Sequence, residues 1–516
     1  MLLIHQIKVP IEEKLNSNHI AHKLKCSTND IISYEIERES LDARKELLYS
    51  YSVYCDIKNE RKYLRNKDVT IANKEIYQLP ILNKKDNERP IVAGFGPAGM
   101  FASLILAECG LKPIILERGS EINKRTKDVE LFFKEGKLNE ESNVQYGEGG
   151  AGTFSDGKLT TRIKNFRISK VLDEFVEAGA NPAITYMQRP HLGTDVLREI
   201  VFNIRQKIIK LGGEIHFGCE VKNILKDSSG IYGLKTNKGD FLSKHIILAI
   251  GHSASDTYAN LLNDGIHIEQ KDFAAGVRVE HPQVMINENQ YGRYANHPML
   301  GAASYQLTYM SSIKRGVYSF CMCPGGVVVP SSTINGHLSV NGMSYAARDK
   351  NNANSAILVQ IPRKDFDKGH PLDGFIYQKE LEKHSYLNGF KAPVSNIEDY
   401  LNNHLSTSLN IKSSYPLETE CFDMHKLFSY EVNQALSEGF INFDHKIKGF
   451  ISNGIMIGME SRSSSPIRIL RDENGECISL KGLYPAGEGA GYAGGIISSA
   501  VDGIRQAENI IYNLNK

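Results

Sequence analysis

The sequence predicts an α/β protein: a three-layer domain with a mostly parallel sheet, an inserted α+β capping domain and a small N-terminal α/β domain. Two observations define the three-layer domain: a strand–turn–helix–strand pattern begins at Pro90, and a strand, a glycine-rich turn and a helix return over 482–515. The stretch between them differs, being rich in short strands, Gly-Pro turns, Tyr and Asn. The predicted domains are 1–89, 90–270, 271–450 and 451–516, the last completing the second.

Composition limits the classes of partner. The chain has 516 residues and a net charge of +1, so no global field draws it to nucleic acid or to an anionic membrane. No apolar run approaches the ~20 residues of a membrane helix, and residues 1–14 lack the pattern of a signal peptide. The eight cysteines are mostly scattered, which suits a reducing compartment. We expect a cytoplasmic protein with a small-molecule substrate and no metal.

The N-terminal segment has the alternation of half-buried strands. We expect strands over 2–9, 31–36 and 48–57 and a helix over 18–25. Ser40 is a candidate N-cap for a second helix that begins over 40–44. Residues 59–89 are polar and charged, and much of this stretch is expected to be a connector.

The turn after the first buried strand carries the strongest signal. Residues 91–99 read Ile-Val-Ala-Gly-Phe-Gly-Pro-Ala-Gly, an apolar strand that leads into G-x-G-x-x-G. Gly94 permits the tight turn, Gly96 lets the backbone approach a pyrophosphate, and Gly99 lets the helix pack closely on the strand. These are the requirements of a dinucleotide-binding turn of the Rossmann type.

The residues that follow complete this unit. The helix expected over 100–109 would point its N-terminal amides and positive dipole end at the phosphates. A second strand over 113–116 leads to Glu117, at the spacing of an acid that accepts a hydrogen bond from the adenosine ribose. Its charge would repel a 2′-phosphate, which argues against NADP in this site.

Two further glycine-rich segments bear on the choice between FAD and NAD, which the turn alone leaves open. Residues 143–158 could lie against a large flat ligand, with an ordinary flexible loop as the alternative. Residues 482–496 lead into a helix whose N-terminus would face the ligand. Three such segments fit one extended FAD better than a shorter NAD. Candidate residues in the two segments are Gln145, Gly149, Gly150, Gly152, Thr153, Lys158, Gly487, Glu488, Gly495 and Ile496.

Together the motifs resemble the bacterial family of FAD-dependent dehydrogenases, part of the two-dinucleotide-binding flavoprotein superfamily, whose members largely lack an assigned substrate. The stretches that carry this resemblance are 94–99, 143–159, 190–195, 251–254, 320–326 and 484–496. The resemblance implies a Rossmann-type FAD-binding domain and an FAD-dependent oxidoreductase. It covers nearly the whole chain and bears more on fold and cofactor than on reaction chemistry.

The resemblance also implies roles for single residues. The ADP half would be bound by Gly94, Gly96, Pro97, Ala98, Gly99 and Glu117, with Arg118 beside it. The backbone of Val221 would meet the adenine, and Gly251 would pass close to the cofactor. Gly487, Glu488, Gly495 and Ile496 would close the flavin end. Neither a second complete strand–G-x-G-x-x-G–helix–strand unit nor a C-x-x-x-x-C follows the first helix, which puts a dedicated NAD(P)H domain and a disulfide-reductase mechanism in doubt. NAD(P)H is a candidate only as a transient electron donor.

Several residues are weak candidates for catalysis. Cys321 and Cys323 would face the same side of an extended strand, as a redox pair, as a nucleophile, or as two small apolar side chains. His252 and His281 are candidates for proton transfer, with a structural role as the alternative. Lys158 belongs to a set of cations in turn-rich places that could bind an acidic substrate or form ion pairs at domain contacts; the others are Arg278, Arg348, Arg462 and Arg468.

The leading functional hypothesis is therefore an FAD-dependent oxidoreductase that transfers a hydride. Two alternatives stay open: a non-catalytic or redox-sensing flavoprotein, and a flavin-dependent RNA-modifying enzyme that would use the basic stretch over 58–67. The charge balance argues against nucleic acid as a partner. The sequence gives no oligomeric state.

Overall fold

The N-terminal unit is a four-stranded antiparallel sheet with one helix. The computed structural model describes residues 1–43, 46–83 and 88–516. The sheet has the order β2-β3-β1-β4. The elements are β1 (Leu2–Pro10), α1 (Ser17–Leu24), β2 (Ile31–Asp42), β3 (Leu48–Ile57) and β4 (Val69–Ile71). Within the expected connector only the short β4 joins the sheet, and residues 84–87 lie outside the described residues.

The expected helix start at Ser40 is wrong. Ser40 lies inside β2, opposite Ser50 of β3, and its hydroxyl donates to the Ser50 carbonyl at 3.1 Å. The strand continues because residues 39–42 keep pairing with β3, and this long-range pairing overrides the local capping signal. Arg44, the end of the expected helix start, lies outside the described residues.

The central domain consists of three layers. A five-stranded sheet with the order β23-β11-β5-β6-β7 is parallel at every pairing. Its first part contains β5 (Ile91–Ala93), α2 (Pro97–Glu108), β6 (Ile114–Glu117), α3 (Ile122–Glu135), α4 (Arg167–Glu177), α5 (Gly193–Lys210), β7 (Glu214–Phe217), β8 (Val221–Asp227), β9 (Gly230–Thr236), β10 (Gly239–Leu242), β11 (Ile246–Leu248), α6 (Ser255–Asn263) and β12 (Ile268–Gln270). The C-terminal part adds β22 (Ile467–Ile469), β23 (Leu483–Pro485) and α11 (Ile496–Leu514).

Alternation along β5 explains the layering. Val92 packs with α2, α5 and α11 in one core, whereas Ile91 and Ala93 pack with the antiparallel sheet β8-β9-β10 and α6 in another. All three side chains are buried, so the strand reads as a continuous apolar run. The helix α2 begins at Pro97, three residues before the expected start, because proline suits the first helical position and Gly96 is the N-cap.

The inserted domain is built on a seven-stranded sheet with the order β14-β15-β18-β13-β21-β19-β20. Only the β19–β20 pairing is parallel. Its elements are β13 (Phe273–Pro282), α7 (Gln283–Tyr291), β14 (Thr308–Met310), β15 (Gly316–Cys323), β16 (Val327–Pro330), β17 (Val340–Met343), β18 (Asn352–Ile361), α8 (Asp373–His384), β19 (Ala392–Asn396), α9 (Ile397–Leu401), β20 (Thr419–Cys421), α10 (Tyr430–Lys446) and β21 (Ile455–Glu460).

The expected end of this domain at residue 450 is too early. The strand β21 pairs with both β13 and β19 near the centre of the sheet, so the domain extends at least to Glu460. The strand β12, which precedes the inserted domain, pairs antiparallel with β22, which follows it. The two chain connections between the domains therefore lie side by side. In the described part of the chain, no helix combines the length and the apolar character needed to cross a membrane.

Candidate functional site

One large cavity lies where the parallel sheet meets the inserted domain. Its volume is about 1380 Å³, larger than the roughly 300–1,000 Å³ of a typical small-molecule pocket. The carboxyl ends of β5, β6, β11 and β23 all lie at one edge of the sheet and lead into residues that line the cavity. This edge is the usual ligand position in open α/β sheets. Ends of four strands far apart in sequence therefore form one site.

The three glycines of the turn differ in what surrounds them. A Cβ added to Gly94 would lie 2.3 Å from the Ala249 carbonyl oxygen, and one added to Gly99 would lie 1.9 Å from the Gly94 carbonyl oxygen. These two positions serve backbone packing, and Gly94 also has a φ of +95°. At Gly96 the nearest atom would be the Gly150 Cα at 3.6 Å, an ordinary contact, and Gly96 lines the cavity. Only Gly96 therefore leaves its space free for a ligand.

Glu117 is fixed at the end of β6 by backbone amides. Its Oε2 accepts from the Phe95 amide at 2.8 Å, and its Oε1 accepts from the amides of Gly119 at 2.8 Å and Gly147 at 3.0 Å. A carboxylate offers about four acceptor sites, so one remains for a hydroxyl in the cavity. Arg118 follows it in the wall, with its guanidinium 4.6 Å from the centre of the Tyr146 ring.

Arg125 shapes the glycine-rich segment and was not predicted from the sequence. Its fully buried guanidinium donates to four backbone carbonyls of this segment. The acceptors are those of Asn143 at 2.9 Å, Val144 at 3.0 Å, Glu148 at 2.6 Å and Gly150 at 3.0 Å. Burial lowers the pKa of Arg125 to about 10, which leaves it charged at neutral pH.

A sequence signal for Arg125 did exist. In α3 the buried residues Ile122, Arg125, Val129 and Phe132 recur at helical spacing, so an arginine stands on the apolar face of the helix. A buried arginine needs several acceptors. The nearby segment over 143–150, which has few side chains, offers them.

The structure places the predicted residues of this segment in two groups. Gln145, Gly150, Gly152 and Lys158 line the cavity, as do Pro97, Ala98, Val221 and Gly251 from other parts of the chain. Gly149 and Thr153 are not among the residues that line the cavity. A Cβ on Gly149 would meet the Thr153 Oγ1 at 2.2 Å and Val201 of α5 at 2.9 Å, so this pair packs the segment against a helix.

The end of β11 brings one polar ring into the cavity wall. His252 is 8% exposed, and its Nδ1 lies 3.4 Å from the Glu488 Oε1. Its Nε2 is buried without a hydrogen-bond partner among the described residues. A buried ring nitrogen of this kind is costly unless a ligand or water pairs with it. Of the two candidate histidines, only His252 lines the cavity.

The other candidate, His281, lies in the core of the inserted domain. It is completely buried, and its Nε2 donates to the Phe450 carbonyl oxygen at 2.8 Å. Burial lowers the pKa of His281 to about 4, so the ring is neutral at physiological pH. It does not line the cavity. The role that fits this position is structural.

The C-terminal segment closes the opposite side of the cavity. Gly487, Glu488, Gly495 and Ile496 all line it. The 19-residue helix α11 begins at Ile496, and its N-cap Gly495 has no side-chain capping hydrogen bond. The first-turn amides and the positive dipole end of α11 are thus directed to the cavity. The N-terminus of α2, whose N-cap Gly96 is also uncapped, has the same arrangement.

The recurring cations are mostly engaged in ion pairs. Arg278 is completely buried and donates to Glu460 at 2.6 Å, and Arg462 donates to Glu382 at 2.7 Å. Arg348 donates through Nε to the Asp156 carboxylate at 3.0 Å, while the Lys158 Nζ lies 3.8 Å from Asp156. Arg468 differs, since it donates to the Gly491 carbonyl oxygen at 3.2 Å.

The two cysteines lie at a break in β15. Cys321 lines the cavity and has a φ of +43°, whereas Cys323 is completely buried. The segment is therefore not the regular extended strand that was expected, and the Cys323 thiol donates to the Cys321 carbonyl oxygen at 3.2 Å.

The inserted domain supplies a wall that the sequence did not reveal. Most of its cavity-lining residues come from β14, β15 and the segment before them, and these include Ser304, Gln306, Tyr309, Tyr318 and Phe320. The N-terminal unit adds Arg38. Ser304 and Gln306 lie outside the strands and Arg38 lies in β2 of the N-terminal unit, so only the fold brings these residues together.

Comparisons with known proteins support FAD as the cofactor. Residues 272–463 match the family described as FAD-dependent protein, C-terminal domain-like, and residues 1–55 match a domain of unknown function. A protein of Clostridium beijerinckii, described as uncharacterized, is 47% identical over 522 residues, which is 98% of each chain.

Solved structures with detectable similarity include two enzymes of amino-acid oxidation. Glycine oxidase from Bacillus cereus is 11% identical over 83% of this chain and 95% of its own, with a TM-score of 0.32. L-proline dehydrogenase from P. horikoshii is 15% identical over 83% of this chain and 95% of its own, with a TM-score of 0.35.

Proposed function

Because the chain belongs to the largely uncharacterised family of FAD-dependent proteins, we propose that it is an oxidoreductase whose FAD exchanges a hydride with a small molecule. The observation that carries the proposal is the convergence of four strand ends and two uncapped helix N-termini on one cavity. Such N-termini attract anionic groups, because their amides are unpaired and their dipoles point outward. Two of them in one cavity suit a ligand that is anionic at more than one place.

The ADP half fits the side formed by β5 and β6. Gly96 would admit the pyrophosphate against the N-terminus of α2, and the remaining acceptor site of Glu117 would take a ribose hydroxyl. Val221 lies beyond Glu117 in the same wall, where its backbone would meet the adenine.

The flavin half fits the side formed by α11. When bound, FAD supplies a two-electron acceptor and donor. The N-terminus of α11 would stabilise negative charge on the reduced ring, and the unpaired Nε2 of His252 would hydrogen-bond to the cofactor. Lys158 adds a positive charge to the cavity wall.

The substrate would enter between the two domains. The wall from β14 and β15 carries Tyr309, Tyr318 and Phe320 and faces the strand ends across the cavity. Pockets at domain interfaces are a common substrate position. The inserted domain would thus exclude water from the reacting atoms, and NADH or NADPH is the electron donor to test.

The experiment compares two glycines of the same turn. Gly96→Ala adds a methyl group only to the ligand space, so we expect the apo chain to melt as the wild type does. Its FAD affinity should fall at least tenfold, about 1.4 kcal/mol. Gly99→Ala is the matched control, since its methyl group would clash with the Gly94 carbonyl and lower the melting temperature.

Flavin fluorescence measures the FAD affinities of the wild type and of the two variants. Anaerobic mixing of the FAD-loaded wild type with NADH and then NADPH tests whether either nucleotide bleaches the flavin absorption bands. Unchanged FAD affinity in Gly96→Ala would contradict the proposed binding mode. Bleaching by either nucleotide would establish a reductive half-reaction and identify the donor.

A further inference from the structure

We propose that Cys321 and Cys323 form a redox-active dithiol in the cavity wall, which exchanges an electron pair with FAD. The inference rests on the proposed function, because FAD is the partner in the exchange. It adds a second two-electron centre to the site. Its support is the backbone geometry of β15, the position of Cys321 in the cavity wall and the charges around the two thiols.

The backbone at the two cysteines departs from a regular strand, and the Cys323 thiol donates to the Cys321 carbonyl oxygen at 3.2 Å. In β15, Phe320 pairs with Ala356 and Cys323 pairs with Asn354, so three steps on one strand oppose two on the other. The extra residue makes a β-bulge, a feature often found beside active sites. In a regular strand, side chains two residues apart are separated by about 6.6 Å, whereas a disulfide needs Cβ atoms about 3.5–4.5 Å apart.

The backbone conformation of Cys321 also supports a functional role for this cysteine. Its φ of +43° lies in the left-handed region, which glycine adopts without strain and cysteine does not. Strained backbone of this kind persists where the surroundings enforce it, most often at functional sites. Packing alone would be served by a residue that relaxes this strain.

The two sulfur atoms have different environments. Cys321 lines the cavity, and Cys323 is completely buried behind it. The hydrogen bond from Cys323, aided by the positive charges of Lys158 and Arg278, lowers the pKa of the Cys321 thiol. The same interaction with Cys321 raises the pKa of Cys323. Cys321 would therefore be the reactive thiolate and Cys323 its resolving partner.

A buried arginine holds this arrangement in place. Arg278 donates to the Cys321 carbonyl oxygen at 3.2 Å, and its Nη1 lies 3.9 Å from the Cys323 sulfur. It is itself fixed by Glu460 at 2.6 Å and by Asn354 at 2.7 Å. The positive charge thus stays beside the sulfur pair.

The exchange balances in atoms and electrons. Closing the Sγ–Sγ bond between the Cys321 thiolate and the Cys323 thiol breaks one S–H bond and releases two electrons and one proton. Oxidised FAD would accept both electrons and this proton and become the anionic reduced form, and the reverse direction opens the disulfide. The thiolate of Cys321 begins the exchange from the cavity side, and the proton of Cys323 leaves as the bond closes.

The test is an anaerobic reductive titration of the FAD-loaded full chain, first equilibrated with oxidised glutathione and then freed of it. The wild type should take up two electron pairs per FAD before reduction is complete. Cys321→Ser and Cys323→Ser should take up one. Cys219→Ser is the control, because Cys219 also lines the cavity and is buried, and it should still take up two.

Peptide mass mapping of the same oxidised wild-type sample gives a second readout, which does not depend on variants that fold. The peptide with both cysteines should lack two hydrogens and resist alkylation until it is reduced. Uptake of one electron pair by the wild type, with both thiols still alkylated, would overturn the inference and leave FAD binding intact. A chain that retains no FAD would overturn the proposed function together with this exchange.

Discussion

Replacement of Arg125 by methionine should disorder the glycine-rich wall of the cofactor cavity. Methionine keeps the length and the apolar contacts of the side chain but removes its four hydrogen bonds to the backbone. The acceptors at Asn143, Val144 and Glu148 receive no other hydrogen bond from the described residues. Loss of the hydrogen bonds from Arg125 therefore destabilises the backbone of residues 143–150 and the position of Gly96, which lies against Gly150.

The magnitude follows from the number of orphaned acceptors. Each buried carbonyl left without a partner costs about 1–3 kcal/mol, so three of them cost about 3–9 kcal/mol before water or movement relieves the loss. At the lower end, and for a domain of about 200 residues, the melting temperature should fall by about 6–12 °C. Limited proteolysis should cut within residues 143–152 first.

Arg89→Met is the matched control. Arg89 also donates to a backbone carbonyl, that of Lys112 at 2.8 Å, and pairs with Glu214 at 2.7 Å, but its side chain is 35% exposed. Exposed ion pairs contribute about 0–1 kcal/mol, so the control should melt close to the wild type. If Arg125→Met melts within the range of the control and residues 143–152 stay protected, the assigned role of Arg125 is wrong.

Two further changes follow from the same structure. Glu117→Gln should weaken FAD binding at least tenfold, about 1.4 kcal/mol, since an amide replaces one acceptor oxygen by a donor. The control is Glu141→Gln at an exposed position. Equal FAD affinities of the two variants would refute the proposed hydrogen bond from the ribose to Glu117. Burial lowers the pKa of His281 from 6.5 to about 4, so the neutral ring contributes its full stability above pH 6.5 and loses it as pH falls through about 4. The urea midpoint of the apo chain should therefore fall as the pH is lowered from 6.5 to about 4. His281→Gln should flatten the plot of urea midpoint against pH over this range and leave the FAD affinity unchanged. A variant that keeps the wild-type slope would contradict the role of His281 in this pH dependence.

The dinucleotide turn was predictable because its requirements are local. The functions of Gly94, Gly96 and Gly99 depend on one strand, one turn and one helix that follow each other directly in the sequence. The same holds for Glu117, which ends the next strand of the unit. Short-range geometry therefore identified the core of the site without the rest of the fold.

The remainder of the site depends on contacts that spacing does not encode. Arg125 binds carbonyls about twenty residues away, and Gly149 packs against Val201 of α5. The strand β21 returns to the inserted sheet after α10, so the change in composition near residue 450 did not mark a domain end. The wall from β14 and β15 is set by sheet order, which the sequence pattern left open.

The most direct test of the central claim is the visible absorption spectrum of the purified full-length chain. It is recorded after incubation with FAD and removal of free cofactor, for the wild type and for Gly96→Ala. Flavin bands at about one FAD per chain in the wild type, with much weaker bands in the variant, are the result that the account predicts. A wild-type chain that stays colourless after this treatment would contradict it.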